Sequence, residues 1–183
     1  MAAAIPRRQM RQLARRFHEA TTDCRSTQQG VLERLIALNG DSRFAREHRL
    51  DEVRDGHELR RRLPVADYEL FRPYIEQLKL GDHRALLGSN NPLLMFMLSS
   101  GTTSDSKFIP ITQQFLDDYR RGWKIWGIRA YDDHPRANSQ NIIQFVSNHE
   151  RFFTEGGTPC GNVSGLVVAM KWRAVRKMYS IPS

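Results

Sequence analysis

The stretch of residues 93–112 constrains the fold more than any other part of this sequence. Its three segments are an apolar run, a block of small polar residues and a second short apolar run: Leu93–Leu98, Ser99–Thr103 and Phe108–Ile111. Short apolar runs on either side of small polar residues are typical of two strands joined by a tight loop. We therefore predict a strand–loop–strand unit in the middle of the chain.

The predicted loop has the chemistry of an anion site. Its residues carry few side-chain atoms close to the backbone, so that N–H groups and hydroxyls can converge on one ligand. Gly101 permits a positive φ or a close approach of the backbone to a ligand, and Lys107 follows as a cation at the loop's exit. Because a lysine acts as a point charge on phosphate oxygens, the loop predicts nucleotide phosphate binding.

Two known phosphate loops can be compared with this stretch. Gly101 and Lys107 have the spacing of the G-x-x-x-x-G-K-[ST] motif, but Ser106 replaces the second glycine and Phe108 replaces the hydroxyl residue. We therefore exclude a Walker-type NTPase. The pattern of the adenylate-forming superfamily, [ST]-S-G-[ST]-T-G-x-P-K, fits better. Ser99–Thr103 and Lys107 match it, while Ser104 and Ser106 stand where glycine and proline are usual.

The residues after the loop extend this likeness. Phe108–Thr112 and Arg120–Trp123, together with the loop, resemble the bacterial form of the auxin-responsive-promoter (GH-three) acyl acid amido synthetases. The resemblance implies an α/β fold, the N-terminal part of an adenylate-forming large domain like that of acyl-CoA synthetases and firefly luciferase. In that fold, residues 1–80 are expected to be mainly helical, and residues 93–183 to form strands and helices of a mixed sheet around the phosphate loop.

The resemblance also implies a two-step ligase reaction. A carboxylic acid would attack ATP to give an acyl-adenylate and pyrophosphate, and an amino acid amine would then displace AMP to give an amide. Magnesium is expected with the nucleotide, although the sequence shows no ligand for it. Lys107 would be the catalytic residue that balances charge on the departing pyrophosphate. The ATP phosphates would be bound by Ser99, Ser100, Gly101, Thr102 and Thr103.

Later motifs of the family are missing from this sequence: an aromatic-x-Ser-x-Glu motif, an acidic residue for the ribose, and a C-terminal domain with its lysine. The 183 residues are therefore expected to be an incomplete N-terminal portion of the large adenylating domain, inactive alone. A nonenzymatic remnant that retains the fold is the alternative. Acid-dependent pyrophosphate exchange into ATP would separate the two, and we expect it from a full-length form only.

A helix after the second strand is the candidate for the acyl-substrate site. Thr112 predicts its N-cap, and an aromatic side runs along about 15 residues. Core packing of these aromatics is the favoured interpretation. The alternative is that Trp123 or Trp126 lines an acyl pocket and that Arg129 meets the substrate carboxylate, with Arg120 and Arg121 as further candidates.

Composition bounds the remaining classes of function. The net charge is +8, and much of it lies in residues 1–62, where every Lys or Arg position is arginine. Acidic residues lie among many of these arginines, so we favour a solvated basic surface over a nucleic-acid or membrane-surface module. The Arg-rich start also resembles a mitochondrial presequence, although the family's own first helix is expected there. Two distant cysteines favour a reduced, cytoplasmic setting, and no apolar run is long enough to span a membrane.

Other segments give local predictions. Periodic apolar residues predict amphipathic helices in the first half: one with Met10, Leu13, Ala14 and Phe17, one with Val31, Leu32, Leu35, Ile36 and Leu38 buried, and one from Asp67 to Gly81 with a break or kink at Pro73. In the second half we predict a loop at residues 132–135, a strand at residues 141–147, a loop at residues 154–165 and a helix at residues 166–178.

Overall fold

The computed structural model describes residues 7–99, 106–139, 143 and 145–170. In these ranges the chain forms helices around one sheet. The helices are α1 (Arg7–Ala20), α2 (Cys24–Asn39), α3 (Arg43–Glu47), α4 (Gly56–Arg62), α5 (Tyr68–Lys79), α6 (Gln113–Asp133) and α7 (Val163–Ala169). The strands are β1 (Leu93–Leu98), β2 (Phe108–Thr112), β3 (Phe152–Phe153) and β4 (Pro159–Gly161), and short 3-10 helices lie at Leu50–Glu52, His83–Ala85 and Pro135–Ser139.

The sheet is mixed, with the strand order β2-β1-β4-β3. Strand β1 pairs antiparallel with β2 and parallel with β4, and β3 pairs antiparallel with β4. The predicted strand–loop–strand unit is therefore confirmed as a hairpin of β1 and β2. The predicted α/β class, a helical first part followed by a mixed sheet, is confirmed as well.

The apolar run of β1 lies at the centre of the sheet and is buried on both faces. Successive side chains of a strand point to opposite faces, and Phe96 and Met95 accordingly enter different clusters. Phe96 packs with Ile75 and Leu78 of α5, while Met95 packs with Ile111 and Leu166. A strand covered on both sides is expected to be continuously apolar, which accounts for the composition of β1.

Side-chain caps begin several of the helices. A side-chain oxygen accepts a hydrogen bond from a backbone N–H of the first turn at α2, α3, α4, α5 and α6, where the caps are Asp23, Ser42, Asp55, Asp67 and Thr112. Such a cap satisfies a donor that has no partner inside the helix. The cap predicted at Thr112 is confirmed, and Asp67, the predicted start of a helix, is the cap of α5.

Helix α2 is placed correctly, but its predicted buried side is only partly covered. Val31 and Leu35 are exposed, at 41% and 44% of their surface, and no residue of α2 is fully buried. Leu32, Ile36 and Leu38 are half-buried. The tertiary contacts of α2 therefore cover only part of the apolar side that the sequence pattern predicts.

Helix α5 continues through Pro73 and ends before Gly81. The proline lies inside the helix, so the predicted break does not occur. Its missing donor would have bonded to the carbonyl of Glu69, an exposed residue of the first turn, where water can hydrate that carbonyl. At the other end Gly81 has φ +100°, and the Asp82 N–H bonds back to the Gln77 carbonyl at 2.9 Å, a Schellman-type ending.

Helix α6 is 21 residues long, longer than predicted, and it includes Asp132 and Asp133, which we had predicted in a loop. The extension is held by α1. Arg11 donates two hydrogen bonds to the Asp132 carboxylate, at 3.0 and 2.6 Å. This contact between distant parts of the chain explains why the local pattern ended the helix too early.

The last described segment differs most from the predictions. Residues 143 and 145–147 are not in a strand, and the remaining residues of that predicted strand lie outside the described ranges. The predicted loop at 154–165 contains β4, with Cys160 fully buried, and the start of α7. That helix spans Val163–Ala169, and residues 171–178 of the predicted helix lie outside the described ranges. Within the described ranges, every helix is too short or too polar to serve as a transmembrane span.

Candidate functional site

The two ends of the predicted phosphate loop are held together by the hairpin. The Ser99 N–H donates to the Lys107 carbonyl at 3.1 Å, and the Lys107 N–H donates to the Ser99 side-chain oxygen at 3.1 Å. The Ser99 hydroxyl therefore still has its own proton to donate. The four other predicted phosphate ligands, Ser100, Gly101, Thr102 and Thr103, lie outside the described residues.

The Lys107 side chain is exposed at the exit of this loop. Its ammonium lies 5.6 Å from the centroid of the Tyr68 ring, a cation–π distance. A ring face attracts a cation without neutralising its charge. The Lys107 ammonium is therefore oriented by Tyr68 and remains accessible to an anionic ligand.

Helix α5 supplies a second pair of charges beside Lys107. Arg72 donates two hydrogen bonds to the Glu69 carboxylate, both at 2.6 Å. The bonds from Arg72 hold the pKa of Glu69 below its usual value, and the charge of Lys107 lowers it further. The same pair raises the pKa of Arg72. Glu69 is thus ionised at neutral pH, so that the cluster combines two cations with one anion.

An open groove of about 440 Å³ runs along α6. It is lined by Asp118, Tyr119, Gly122, Trp123 and Trp126. A side-chain carbon added at Gly122 would meet nothing within 4 Å, so the glycine leaves the groove open. A concave apolar surface with few polar groups is the usual form of a small-molecule site.

The aromatic residues of α6 form a row. The ring centroids of Phe115 and Tyr119, of Tyr119 and Trp123, and of Trp123 and Trp126 are 6.0, 6.2 and 5.1 Å apart. Trp123 and Trp126 remain 52% and 62% exposed. The favoured interpretation of these two tryptophans as core residues was therefore wrong, because α6 buries Leu116, Gly127 and Ile128 instead.

One charged side chain, Asp118, lines the groove. Its carboxylate is shared between Arg34 at 3.4 Å and Arg121 at 3.7 Å, and it accepts a hydrogen bond from the Gln114 amide at 2.9 Å. Two hydrogen bonds and one longer ion pair hold this carboxylate in position. Asp118 can therefore present an acceptor to a polar group of a bound molecule.

The three candidate arginines have different places. Arg129 is exposed and is not among the residues that line the groove; its charge contributes to lowering the pKa of Asp132. Arg120 donates to the Met170 carbonyl at 3.2 Å. Arg121 pairs with Asp118, as described above. The structure thus brings Trp123 and Trp126 to one groove but does not bring Arg129 into it.

Asp118, Gly122 and Tyr68 are not among the site residues predicted from the sequence. Asp118, Gly122 and Trp126 follow one another at intervals of four residues, so they lie on one face of α6. Counting back from Trp126 in steps of four would have identified Gly122 and Asp118. Tyr68 lies 40 residues before Phe108 in the sequence, and no local pattern joins it to Lys107. The packing of α5 against the sheet creates that contact.

Comparison with known proteins agrees with this architecture. The sequence model described as the GH3 family N-terminal domain matches residues 13–183. The chain belongs to the GH3 family. Among its relatives, jasmonoyl–L-amino acid synthetase JAR4 of Nicotiana attenuata is 24% identical over 149 residues, 81% of this chain and 26% of the relative. Indole-3-acetic acid-amido synthetase GH3.6 of Arabidopsis thaliana is 32% identical over 102 residues, 55% of this chain and 16% of the relative.

Solved GH3 structures share the fold of this chain. The AtGH3.15 acyl acid amido synthetase in complex with 2,4-DB superposes with a TM-score of 0.77 at 19% sequence identity, covering 98% of this chain and 31% of that chain. This GH3 domain therefore spans about a third of a solved relative and 26% of the JAR4 enzyme. The predicted family is confirmed, and so is the fold of its N-terminal part.

The residues around the hairpin fit a nucleotide phosphate. The Ser99 hydroxyl and the exposed Lys107 ammonium are donors of the two kinds that phosphate oxygens accept. Magnesium is a different matter. Among the described residues, no three His, Cys, Asp or Glu side chains are grouped as a metal site would require. A magnesium ion accompanying ATP would be held largely by the nucleotide phosphates and water.

Proposed function

We propose that this chain is the phosphate-binding and acid-binding part of an ATP-dependent ligase that joins a carboxylic acid to an amino acid. The observation that carries the proposal is the hairpin, whose reciprocal hydrogen bonds set Ser99 and Lys107 at the two ends of one loop. ATP, when bound, supplies the activating group for the carboxylate. This chain's own residues bind and orient the phosphates.

Lys107 has the central role in this proposal. Its side chain would donate to phosphate oxygens and offset the charge that grows on the leaving pyrophosphate. Ser99 would donate its hydroxyl proton to the same group. Ser100, Gly101, Thr102 and Thr103 are proposed as the remaining phosphate ligands, with Gly101 allowing the backbone to approach.

The groove on α6 is proposed as one wall of the acyl-substrate site. Trp123 and Trp126 offer apolar ring surfaces to the groove, and Gly122 adds no side chain to its lining. Arg129, which lies outside the groove in the last part of α6, is proposed as a cation for the substrate carboxylate. Amino acid conjugation, magnesium and a reduced cytoplasmic setting complete the proposal; the last is supported by two free cysteines.

The nucleotide part is tested by calorimetric titration of the protein with ATP and magnesium. We expect Lys107→Ala to weaken ATP binding by about tenfold to a hundredfold, because it removes a charged hydrogen bond to phosphate. Lys124→Ala, at an exposed lysine of α6, is the control and should bind ATP like the wild type. Equal affinity of the Lys107→Ala variant would contradict a phosphate role for this residue.

The acid part is tested at Gly122. Gly122→Leu places a side chain in the groove and should abolish the quenching of tryptophan fluorescence by an aromatic carboxylic acid, while ATP affinity stays unchanged. Gly30→Leu is a matched control. It also lies in a helix with nothing within 4 Å of an added side-chain carbon, but it is remote from the groove in sequence. Unchanged quenching in the Gly122→Leu variant would remove the groove from the proposed site.

A further inference from the structure

The tyrosine at the start of α5, Tyr68, reaches the exit of the phosphate loop and bonds both backbone groups of one residue. The Phe108 N–H donates to the Tyr68 hydroxyl oxygen at 3.1 Å. The hydroxyl in turn donates to the Phe108 carbonyl at 3.3 Å. Phe108 is the residue immediately after Lys107, so this double contact fixes the backbone next to the proposed phosphate lysine.

The direction of these bonds explains why a side chain is needed there. In an antiparallel pair, the backbone groups of alternate residues point toward the partner strand and away from it. The Lys107 carbonyl faces β1 and bonds to Ser99, so the N–H and C=O of Phe108 face the open side. Strand β2 lies at the edge of the sheet in the described residues, where such groups lack a strand partner.

The next residue of β2 whose backbone faces outward is Pro110. It lies opposite Phe96 of β1, and it has no backbone N–H to donate. The outward edge of β2 therefore presents its first donor at Phe108, and Tyr68 occupies it. No other hydroxyl is needed to satisfy this part of the edge. The position of β2 relative to α5 is set by this side chain together with apolar packing against the core.

The ring of Tyr68 acts on side chains as well as on the backbone. Lys107 lies 5.6 Å and Arg72 lies 5.2 Å from its centroid. Arg72 is itself held by Glu69. The Tyr68 ring thus contacts two cations, Lys107 and Arg72. Its hydroxyl bonds to the backbone of Phe108, the residue next to Lys107. A tyrosine used only for packing would need neither arrangement.

We infer that Tyr68 is a positioning residue for Lys107: its hydroxyl anchors the loop exit at Phe108, and its ring orients the ammonium toward the nucleotide phosphates. The inference rests on the proposed function for the phosphate partner. The contact between Tyr68 and Lys107 does not depend on that function, and the two can be tested separately.

Two variants separate the hydroxyl from the ring. Tyr68→Phe keeps the ring and removes the anchor. We expect hydrogen exchange of the Phe108 amide to become about threefold to tenfold faster, and ATP affinity to fall by about the same factor. Tyr68→Leu also removes the ring. In protein with ¹³C-dimethylated lysines, it should move the Lys107 methyl resonance away from its ring-shifted position, whereas Tyr68→Phe should retain that position.

Tyr74→Phe is the matched control. It removes a tyrosine hydroxyl from the same helix, one that bonds to Glu47 and not to the hairpin. Its Phe108 exchange rate, Lys107 resonance and ATP affinity should equal those of the wild type. A Lys107→Arg variant assigns the resonance, and Lys124 provides an internal reference from an exposed lysine.

The outcomes separate the two proposals. If Tyr68→Phe exchanges its Phe108 amide at the wild-type rate, or exchanges faster while ATP affinity is unchanged, the positioning role is wrong. If the wild type binds no ATP, the proposed function fails. In that case faster Phe108 exchange in Tyr68→Phe and a shifted Lys107 resonance in Tyr68→Leu still support the anchor, and their absence rejects it.

Discussion

At the scale of single residues, the two cysteines occupy opposite environments. Cys24 is exposed at the start of α2, whereas Cys160 lies in β4 with none of its surface exposed. Burial raises the pKa of the Cys160 thiol. Since the thiolate is the reactive form, Cys160 is a core residue and not a nucleophile.

This difference predicts selective labelling. Iodoacetamide at pH 8 should modify Cys24 in the folded protein and leave Cys160 unmodified until the protein is unfolded in denaturant, as measured by mass spectrometry of the whole chain. In the Cys24→Ser variant the folded protein should remain unlabelled. Rapid labelling of that variant under native conditions would contradict the buried position of Cys160.

At the scale of elements, Asp41 joins the corner between α2 and α3 to the connector that leads into β1. Its carboxylate accepts a hydrogen bond from the Ser89 hydroxyl at 2.7 Å and pairs with Arg84 at 2.7 Å. The hydrogen bond from Ser89 has the largest effect on the pKa of Asp41, and together with the contact to Arg84 it lowers that pKa to about 2. An ionised Asp41 thereby links the helical first half of the chain to the connector that leads into the sheet; this contact is called the Asp41 tie below.

The lowered pKa predicts how this tie responds to acid. Its stabilisation is present above the unfolded-state pKa of aspartate, about 3.9, and is lost as the pH falls through the folded value. In urea unfolding at several pH values, Asp41→Asn should be less stable than the wild type at pH 6, and the difference should shrink from about pH 4 downward.

Ser89→Ala removes the hydroxyl that donates to Asp41. It should reproduce part of the pH-dependent loss of stability expected for Asp41→Asn. Ser106→Ala, at an exposed serine, is the control and should follow the wild-type curve. A constant difference between Asp41→Asn and wild type from pH 6 to pH 2 would mean that ionisation of Asp41 does not contribute to the tie.

At the scale of the whole molecule, apolar side chains are exposed at the far edge of the sheet. Phe152 and Phe153 of β3 are 45% and 57% exposed. With Leu80 and Phe108 they line a depression of about 270 Å³ at the end of α5. An exposed apolar patch of this kind favours association.

This patch predicts concentration-dependent self-association. Phe153→Ser should lower the average mass measured by sedimentation velocity at high protein concentration, because it removes an exposed ring from an edge strand. Val65→Ser is the control. Val65 is fully exposed but lies outside the patch, so its replacement should leave the mass distribution unchanged. Equal association of all three proteins would exclude this patch as the contact.

Sequence reasoning predicted the hairpin, the order of helices and sheet, and the family. Each depends on signals within a short window, such as the alternation of strand and loop at residues 93–112. It predicted too wide a buried side for α2, and it predicted residues 154–165 as loop, although Cys160 lies in a central strand. Two-residue and three-residue strands such as β3 and β4 carry too few residues for a periodic signal, and their pairing partners are distant in the chain.

The chemistry of the loop is a property of the sequence itself. Small residues and one lysine at fixed spacing are sufficient to predict a phosphate loop, because the proposed donors are close together along the backbone. The tertiary structure alone decided that Tyr68 lies against Lys107, that Asp118 and Gly122 share a groove with two tryptophans, and that Arg129 lies outside it. These relations depend on how α5 and α6 pack, and packing between distant elements leaves no local pattern to read.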